Sequence, residues 1–600
     1  MKHFFTIVLV VSFFQLSAQG YKHMSYAEFI NPNSALFAAS GKSLVHDNAG
    51  NIYFISAFDG QLIMESDTIV PLNFNGDFDL VLTKLNAQGH LIWMKPFGGS
   101  ATDEAIDLAV DDSANLYARV FLQGAPILFN DTILNAGGDI IKFDSSGNFK
   151  WITTLQPGFF TKRSMVYSTG SLYAYSGGAI QRINPHTGAI LNTLNPTFST
   201  GFLSDGGMAV GPNGDIVLVG YLFNSICFGG DTLSDLNPSA NGTGGNLFLI
   251  RVDTSLNVLD YKAYGGYYSG MINMKIPVVT DNSGNVYVGA VATDTVHFGS
   301  VVIPPTSLNQ TGLFLKLNQS LAPIGASFFK SALIEPRALL NANNGIYLGG
   351  DYSGVAHFIN GDSLVSGANT NNFIVKYNFN GNLIYETSSG SNGNNADILN
   401  DLSADANGNC YFISADQPNP QFGCRTISTP FTNVCVVNFT DVSDAVPQPT
   451  ITLSNGVFTT SPIFNDTIQW FLNNVPIQGA NSSTFSATQN GSYTCLYTNS
   501  FGCSSMSDSL NLLNVGVNNF SSDFEVLIFP NPSLTFQNIF VQASTNCSLQ
   551  ITDVLGRVLF DQKLIRGMNE IELKDCAESI LIWKVLNAYN QELTGKIVRN

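Results

Sequence analysis

The sequence predicts an all-β protein, and three observations support this expectation. Only 12% of the 600 residues are charged, while glycine (55) and phenylalanine (44) are abundant. Long runs of helix-forming residues are missing. A polar turn followed by a short alternating strand, as in residues 281–290 (DNSGNVYVGA), recurs along the first three quarters of the chain. Such turns and alternating apolar residues are typical of hairpins and strands.

The N-terminus predicts an export signal over residues 1–18. Lys2 and His3 precede an apolar run from 4 to 14, and Leu16-Ser17-Ala18 offers a small-residue cleavage site. The alternative is a buried N-terminal strand. The run is too short to span a bilayer, which needs about 20 apolar residues, and no later stretch is long enough. The mature protein is therefore expected to be exported, without a transmembrane segment.

An internal repeat organises residues 19–445. One signal is the polar turn with its following strand, and the other is a strand ending near Lys or Arg, followed by a second turn. The first signal begins at Asp47, Asp111, Val166 (a degenerate copy), Gly211, Asp281, Asn341 and Asp405. The second begins at Asp79, Asp139, Ala179, Asn246, Leu313, Asn372 and Val434. Seven copies of each predict seven units.

Each unit is expected to hold four antiparallel strands, and radial repetition of such units is the β-propeller solution to exposed sheet edges. The last unit lacks a fourth strand after Val434, and Met24–Phe29 stands at the right spacing to supply it, which would close the ring. The repeat resembles that of bacterial β-propeller repeat proteins, whose units open on D-x-x-G-N-x-Y. This resemblance covers residues 21–445 and implies a seven-bladed β-propeller.

A linker is predicted at 446–449, where Pro447 and Pro449 interrupt the pattern. Residues 450–515 then place Trp470 in a central strand and Tyr493 two residues before Cys495. This resembles an immunoglobulin-like (Ig-like) sandwich with a tyrosine corner. The domain departs from that family because no cysteine precedes Trp470 in the expected strand. A second linker is expected at 516–524.

The final segment, 525–600, carries four short pieces in a characteristic order. They are Phe529-Pro530-Asn531-Pro532, then Asp553-Val554-Leu555-Gly556-Arg557, then Gly567-Met568-Asn569-Glu570-Ile571, and Gly595-Lys596-Ile597. The segment resembles the type A C-terminal sorting domain of type IX secretion, a small β-sandwich. Residues 579–583 (SILIW) depart from the small-Gly-Ile-Tyr strand of that family. The resemblance implies two partners, an outer-membrane translocon and a sortase-like peptidase, and localisation outside a Gram-negative cell.

Eight cysteines are present, and export permits disulfides. Local spacing suggests three pairs, Cys424–Cys435, Cys495–Cys503 and Cys547–Cys576, although connectivity does not follow from sequence. No Cys-x-x-Cys pair or histidine cluster is present, so no metal or cofactor is expected.

The sequence contains no linear catalytic motif. The D-x-x-G-N turns are expected to cap their own backbone rather than bind calcium. Asp103-Glu104 and Asp111-Asp112 are expected to be solvated turns. His297-Phe298 and His357-Phe358 share one repeat position and are expected to be structural. The formal net charge of −18 argues against nucleic-acid binding.

The expected function is a non-catalytic surface or secreted binding protein, for example an adhesin. Aromatic loop residues such as Tyr264–Tyr268 could stack on a glycan, or they could pack between blades. A protein ligand is equally open. The alternatives are a secreted lyase or glycosidase with convergent carboxylates at the channel, and a structural surface-layer component.

Overall fold

The computed structural model describes residues 20–30, 39–70, 72, 77–124, 127–129, 132–134, 139–156, 164–195, 197–198, 202–223, 225–228, 231–234, 245–268, 276–303, 310–366, 369–391, 396–423, 425–428, 433–440, 446, 448–454, 456–461, 467–499, 503–512, 524–533, 538–573 and 579–599. The predicted signal peptide, Cys424 and Cys576 lie outside these residues. Two compact parts are present, one of Met1–Pro447 with Thr498–Ser505, the other of Gln448–Tyr497 with Met506–Asn600.

The described residues are all-β and include no helix that could cross a membrane. The strands of the first part are β1 (Gly20–Ile30), β2 (Ala39–His46), β3 (Ile52–Phe58), β4 (Gln61–Met64), β5 (Asp67–Ile69), β6 (Asp79–Leu85), β7 (Leu91–Gly98), β8 (Glu104–Val110), β9 (Leu116–Phe121), β10 (Ile127–Phe129), β11 (Thr132–Leu134), β12 (Ile140–Phe143), β13 (Phe149–Thr153), β14 (Met165–Ser168), β15 (Ser171–Ser176), β16 (Ala179–Ile183), β17 (Ile190–Leu194), β18 (Thr197–Phe198), β19 (Phe202–Val210), β20 (Ile216–Phe223), β21 (Ser225–Phe228), β22 (Asp231–Ser234), β23 (Gly245–Val252), β24 (Val258–Tyr268), β25 (Val278–Thr280), β26 (Val286–Phe298), β27 (Val301–Ile303), β28 (Gln310–Leu317), β29 (Pro323–Ser331), β30 (Leu333–Ala342), β31 (Gly345–Ser353), β32 (Val355–Phe358), β33 (Ser363–Val365), β34 (Asn371–Tyr377), β35 (Leu383–Ser389), β36 (Ile398–Ala404), β37 (Cys410–Asp416), β38 (Gln421–Phe422), β39 (Arg425–Thr426) and β40 (Asn433–Thr440).

Most of these strands form successive four-stranded antiparallel units, numbered here in chain order. The units are β2-β3-β6-β7, β8-β9-β12-β13, β14-β15-β16-β17, β19-β20-β23-β24, β25-β26-β28-β29, β30-β31-β34-β35 and β36-β37-β40-β1. Polar turns join the first and second strands of each unit, and the third and fourth strands of units 1 to 6, at the positions of the two repeat signals.

The apolar core lies between neighbouring units rather than within them. Seven clusters of buried residues each combine side chains of two consecutive units. One cluster combines units 1 and 7, with Leu44 and Phe54 beside Ile413 and Val434. The packing therefore closes on itself, because the last unit packs on the first.

The N-terminal strand supplies the fourth strand of unit 7, which confirms that prediction. β1 pairs antiparallel with β40 from Gly20 opposite Thr440 to Glu28 opposite Asn433. The same strand continues into a second pairing with β4 of unit 1. Units 7 and 1 are thus joined by backbone hydrogen bonds as well as by packing.

Hairpins between the second and third strands reach back to the preceding unit. β10 pairs with β7, β21 pairs with β18, and β32 pairs with β29. The far end of β26 pairs in the same way with β24. Unit 3 has no such hairpin, because only Gly177 and Gly178 separate β15 from β16.

In the second part, the strands before the C-terminal segment pack around one tryptophan. They are β41 (Thr450–Ser454), β42 (Val457–Ser461), β43 (Thr467–Leu472), β44 (Val475–Pro476), β45 (Thr484–Ser486), β46 (Gly491–Thr498), β47 (Ser504–Met506, partly in the first part) and β48 (Leu510–Leu512). Trp470 is fully buried and packs against Phe458 and Phe485. The Tyr493 hydroxyl donates to the Gln489 carbonyl at 2.7 Å.

The C-terminal segment forms two sheets around a common core. Its strands are β49 (Val526–Phe529), β50 (Ile539–Ala543), β51 (Cys547–Thr552), β52 (Val558–Leu564), β53 (Gly567–Ile571), β54 (Ile580–Asn587) and β55 (Glu592–Val598). The sheet orders are β49-β50-β53 and β52-β51-β54-β55. The altered residue Trp583 lies opposite Gly595, and a Cβ on Gly595 would be 2.6 Å from the indole. The glycine therefore makes room for the aromatic ring.

Candidate functional site

The D-x-x-G-N turns are held together by the side chain of their first residue. Asp47 Oδ1 accepts the backbone N–H groups of Ala49 and Asn51, both at 2.9 Å. Asp47 Oδ2 accepts Asn51 Nδ2 at 2.8 Å and the Tyr53 hydroxyl at 3.0 Å. Burial alone would raise the pKa of Asp47, but these hydrogen bonds hold it below its ordinary value. The backbone bonds recur at Asp111, Asp281 and Asp405, which confirms the capping role.

Neighbouring units are also connected at the turns between third and fourth strands. A side chain of one unit donates to the backbone carbonyl of the second turn residue in the next unit. The pairs are Lys84 to Ser145 (3.2 Å), Lys142 to Pro185 (2.7 Å), Tyr173 to Thr254 (2.8 Å), Arg251 to Gln319 (2.6 Å) and Lys316 to Phe379 (2.6 Å). In four of these five pairs the donor is the basic residue near the end of the third strand, and in unit 3 it is Tyr173 on the second strand.

In the first turn of unit 4, Gly211 stands where most other units have aspartate, and Asp215 of the same turn supplies a carboxylate instead. Asp215 stands where other turns have asparagine, and its carboxylate lies over Gly211, 2.5 Å from the position of a Cβ there. Arg251 Nε donates to Asp215 Oδ2. The buried ion pair borders a cavity of about 350 Å³ that Asp253 and Asp260 also line. No group of three metal-ligating side chains occurs among the described residues.

The first strands of units 7, 1, 2 and 3 are connected through polar side chains. Asp401 Oδ2 accepts Ser43 Oγ at 2.7 Å and the Leu44 backbone N–H at 3.1 Å. Ser43 Oγ lies 3.4 Å from Asp107 Oδ1, and Asp107 Oδ2 accepts the Met165 N–H at 3.0 Å. Asp401 and Asp107 stand beside equivalent β-bulges. These carboxylates join the first strands of successive units.

A second set of carboxylates fixes the loops before these strands. Asp103 Oδ2 accepts the Gly99 N–H at 2.6 Å, and Asp103 Oδ1 accepts the Gln123 N–H at 2.8 Å. Asp397 accepts the Gln417 N–H at 2.8 Å in the equivalent place. The solvated turn predicted for Asp103 is wrong, because this side chain is 2% exposed and satisfies two loop amides.

The structural role of these carboxylates was missed, although the sequence carries a signal for it. Asp-x-x-x-Asp-Leu occurs at 103–108 and again at 397–402, each time after a Gly-containing loop. The first aspartate holds the loop and the second bonds to the next unit. Two copies at equivalent repeat positions indicate a shared structural role.

Burial changes the titration of several of these groups. It raises the pKa of Asp103 to about 7, against the lowering effect of the Gln123 and Gly99 amides. It also raises the pKa of Asp416 to about 7, with the nearby Asp397 as a second cause. Asp416 accepts Asn372 Nδ2 at 3.0 Å. The protonated form of each group is therefore favoured inside the folded protein.

Stability is predicted to fall as pH rises from 5 to 8. Unfolded aspartate has a pKa near 3.9, so between about pH 4 and 7 the folded state binds more protons than the unfolded state. Each group contributes at most about 3 kcal/mol to the fall between pH 5 and pH 8, from about 1.4 kcal/mol per pH unit up to pH 7. Urea unfolding of the wild type and of Asp103→Asn at pH 5 and pH 8 checks this. The variant should lose less stability between the two pH values, and an equal loss would contradict the assignment.

In the aromatic segment Tyr264–Tyr268, which could stack on a glycan, the ring of Tyr264 is instead buried between units. Tyr264 is 8% exposed, its hydroxyl donates to the Leu321 carbonyl, and its ring centroid lies 5.0 Å from that of Phe298. Packing between units therefore accounts for Tyr264. The side chains of Tyr267 and Tyr268 lie outside the described residues. Phe298 and Phe358 are buried in equivalent hairpins, which confirms the structural role for the phenylalanines, whereas His297 and His357 are exposed on the same strands.

The first and last pieces of the C-terminal motif meet at one edge of the second sheet. Asn531 Nδ2 donates to the Lys596 carbonyl at 2.7 Å, and Asn531 Oδ1 accepts the Val598 N–H at 2.8 Å. The Ser533 N–H donates to the Val598 carbonyl at 2.9 Å. The Phe529-Pro530-Asn531-Pro532 piece is thereby fastened to the last strand. The Lys596 side chain is exposed.

The other motif residues form turns. Asp553 Oδ1 accepts the N–H groups of Leu555 and Arg557 at 2.9 and 2.8 Å, and Arg557 Nε donates to Asp553 Oδ2 at 2.5 Å. Gly556 and Gly567 have φ values of 85° and 109°. These positive φ values explain why both positions hold glycine. The structure does not bring this turn and Asn531 into one cluster of hydrogen bonds among the described residues.

The three predicted disulfide pairings are wrong. Cys435, Cys495 and Cys547, one from each pair, are buried free thiols. Cys547 belongs to the apolar core of the C-terminal segment, and Cys495 is buried in the middle of β46. Cys435 lies in an apolar cluster together with Cys410, and neither forms a disulfide. Burial raises the pKa of Cys495 to about 11. Cys503 is disulfide-bonded.

Comparisons with known proteins give only distant structural similarities. No family model and no curated protein matches the chain. Similar solved structures include an unknown-function protein from Dyadobacter fermentans, with 10% identity, TM-score 0.32 and coverage of 69% of this chain and 98% of that chain. A subtype N11 neuraminidase-like protein of influenza A/flat-faced bat/Peru/033/2010 has 10% identity, TM-score 0.30 and coverage of 71% and 97%.

A third similar structure is PorZ, a bacterial surface component of the type-IX secretion system of Porphyromonas gingivalis. It has 10% identity, TM-score 0.15 and coverage of 95% of this chain and 100% of that chain. Similarities of this size carry no argument about the function of this chain. The functional conclusion rests on its own residues.

Proposed function

We propose that this chain is an exported, non-catalytic binding protein, secreted by or displayed on a Gram-negative bacterium. Residues 525–600 would act as its type IX secretion sorting domain. The observation that carries the proposal is the pair of hydrogen bonds from Asn531 to Lys596 and Val598. Val598 is 67 residues further along the chain than Asn531. Two motif pieces that are separate in sequence thus lie together in one fold, which supports the proposal of a folded domain that a translocon would read.

The seven four-stranded units are proposed to be the blades of a β-propeller. The core cluster that joins units 1 and 7 and the pairing of β1 with β40 support a closed ring. Residues 450–515 are proposed as an Ig-like spacer. The buried Trp470 and the Tyr493–Gln489 hydrogen bond support that assignment.

The proposed role is binding, by loops that connect rigid blades. The alternative of an enzyme would need carboxylates that are available to a substrate. Asp103, Asp397 and Asp401 instead accept backbone N–H groups within the fold. Extracellular glycans or proteins are the ligand classes to be tested.

Fractionation of the native host tests the export proposal. An antibody to the first part of the chain should detect the protein at the cell surface or in the supernatant. Its intact mass should correspond to loss of residues 1–18 and of the segment from about residue 525, because signal peptides and sorting domains are removed in processing. A chain truncated before residue 525 should stay inside the cell. Export of that truncated chain would overturn the proposal.

A further inference from the structure

The last strand of the C-terminal domain is an open sheet edge. β55 lies at the end of the order β52-β51-β54-β55 and pairs with β54 from Glu592 to Val598 without a register shift. The other edge of the sheet, β52, contains a bulge at its start. Bulges blunt an edge, whereas a regular strand can accept another strand. β55 is therefore the better of the two edges for strand addition.

One end of this edge is already occupied by the motif segment. Asn531 uses its carboxamide to bind the Lys596 carbonyl and the Val598 N–H, as the backbone of a neighbouring strand would. Ser533 then bridges in parallel to Arg599. Pro530 and Pro532 have no N–H to donate, so this segment does not extend the pairing along β55.

The rest of the edge is open among the described residues. Backbone groups of alternate residues point away from β54, and the contacts of Lys596 and Val598 show that the even-numbered residues do so. The N–H and carbonyl of Thr594 and the N–H of Lys596 therefore point outward. The Thr594 and Lys596 side chains are exposed. Ile580 and Ile582 on the adjacent strand are 44% and 43% exposed.

We propose that β55 is the docking edge on which a protein of the secretion machinery adds an extended segment as a further strand. Main-chain hydrogen bonds to Thr594 and Lys596 would give affinity. An acidic side chain of the added segment would complement the exposed Lys596 beside it on β55. Asn531 fixes the length of edge that remains available. This inference rests on the proposed function of residues 525–600.

A proline at the edge tests the proposal in the native host. Thr594→Pro in the full chain removes the outward N–H and is tolerated at an edge strand. Exported protein is expected to fall by about tenfold or more, whereas the matched control Thr594→Val keeps the N–H and should export normally. Purified Thr594→Pro protein should retain the wild-type thermal transition. Normal export of Thr594→Pro overturns the edge proposal, while export of the chain truncated before residue 525 overturns the proposed function itself.

Photo-crosslinking provides a readout that does not depend on the stability of the proline variant. A photo-reactive residue at Thr594 should crosslink in living cells to an outer-membrane protein of the secretion machinery. The same residue at Asp561 on β52 is the control and should not. Crosslinking from Asp561 alone, or from neither position, overturns the proposal. So does a crosslinked product that contains only a second copy of this chain, which would assign the edge to self-association.

Discussion

Deletion of residues 20–30 is expected to lower the free energy of unfolding of the repeat region by roughly 5–10 kcal/mol. β1 pairs with β40 at eight positions, and each net backbone hydrogen bond is worth about 0.5–1.5 kcal/mol. The loss is comparable to the whole stability of a typical domain. It would also expose β40 as a new edge. Denaturant unfolding followed by fluorescence measures the effect.

The matched control for this deletion is a chain that lacks only residues 1–18. It keeps every residue of β1, so it gives the reference unfolding midpoint from which the loss on deletion of residues 20–30 is measured. The deleted chain should also aggregate at lower concentration, because unpaired strands associate. If deletion of residues 20–30 left the midpoint unchanged, β1 would not be the closing strand.

Asp401→Ala is expected to cost about 3–5 kcal/mol. The substitution removes the acceptor of the Leu44 N–H and of the Ser43 hydroxyl at the boundary of units 7 and 1. The Leu44 N–H left without a partner costs about 1–3 kcal/mol, and the lost hydrogen bond from Ser43 to a charged group, although Ser43 keeps Asp107, adds about 1.5–3 kcal/mol. Asp401→Asn keeps one acceptor oxygen and should cost less. Urea denaturation of the purified chains gives both values.

An exposed aspartate provides the comparison. Asp112 is exposed, and Asp112→Ala should change stability by no more than about 0.5 kcal/mol. If Asp401→Ala lowered the free energy of unfolding as little as Asp112→Ala, the first strands of units 7 and 1 would be held together by apolar packing alone. An intermediate value for Asp401→Asn would identify the lost acceptor as the cause.

The confirmed predictions are of two kinds. They concern contacts between residues close in sequence, or strands whose positions follow from the spacing of the repeat. The Asp47 turn follows from five contiguous residues, and the place of Met24–Phe29 follows from the spacing of the units. The errors concern distant contacts. Asp103 is buried because the Gln123 loop folds over it, and the sequence around Asp103 does not contain that loop. The spacing of the cysteines did not predict the state of Cys495, because its place within β46 puts the thiol in the core, where it is free.

The side-chain contacts between units have a consequence for how the repeat could change in number. Every contact from Lys84–Ser145 to Lys316–Phe379 joins a donor of one unit to a turn carbonyl of the next. Each unit from 2 to 5 therefore carries both an acceptor for its predecessor and a donor for its successor. A duplicated copy of such a unit would bring both groups with it and leave no carbonyl unmatched. Gene duplication of such a unit would therefore preserve these turn contacts, while the apolar faces between units would have to fit a new neighbour.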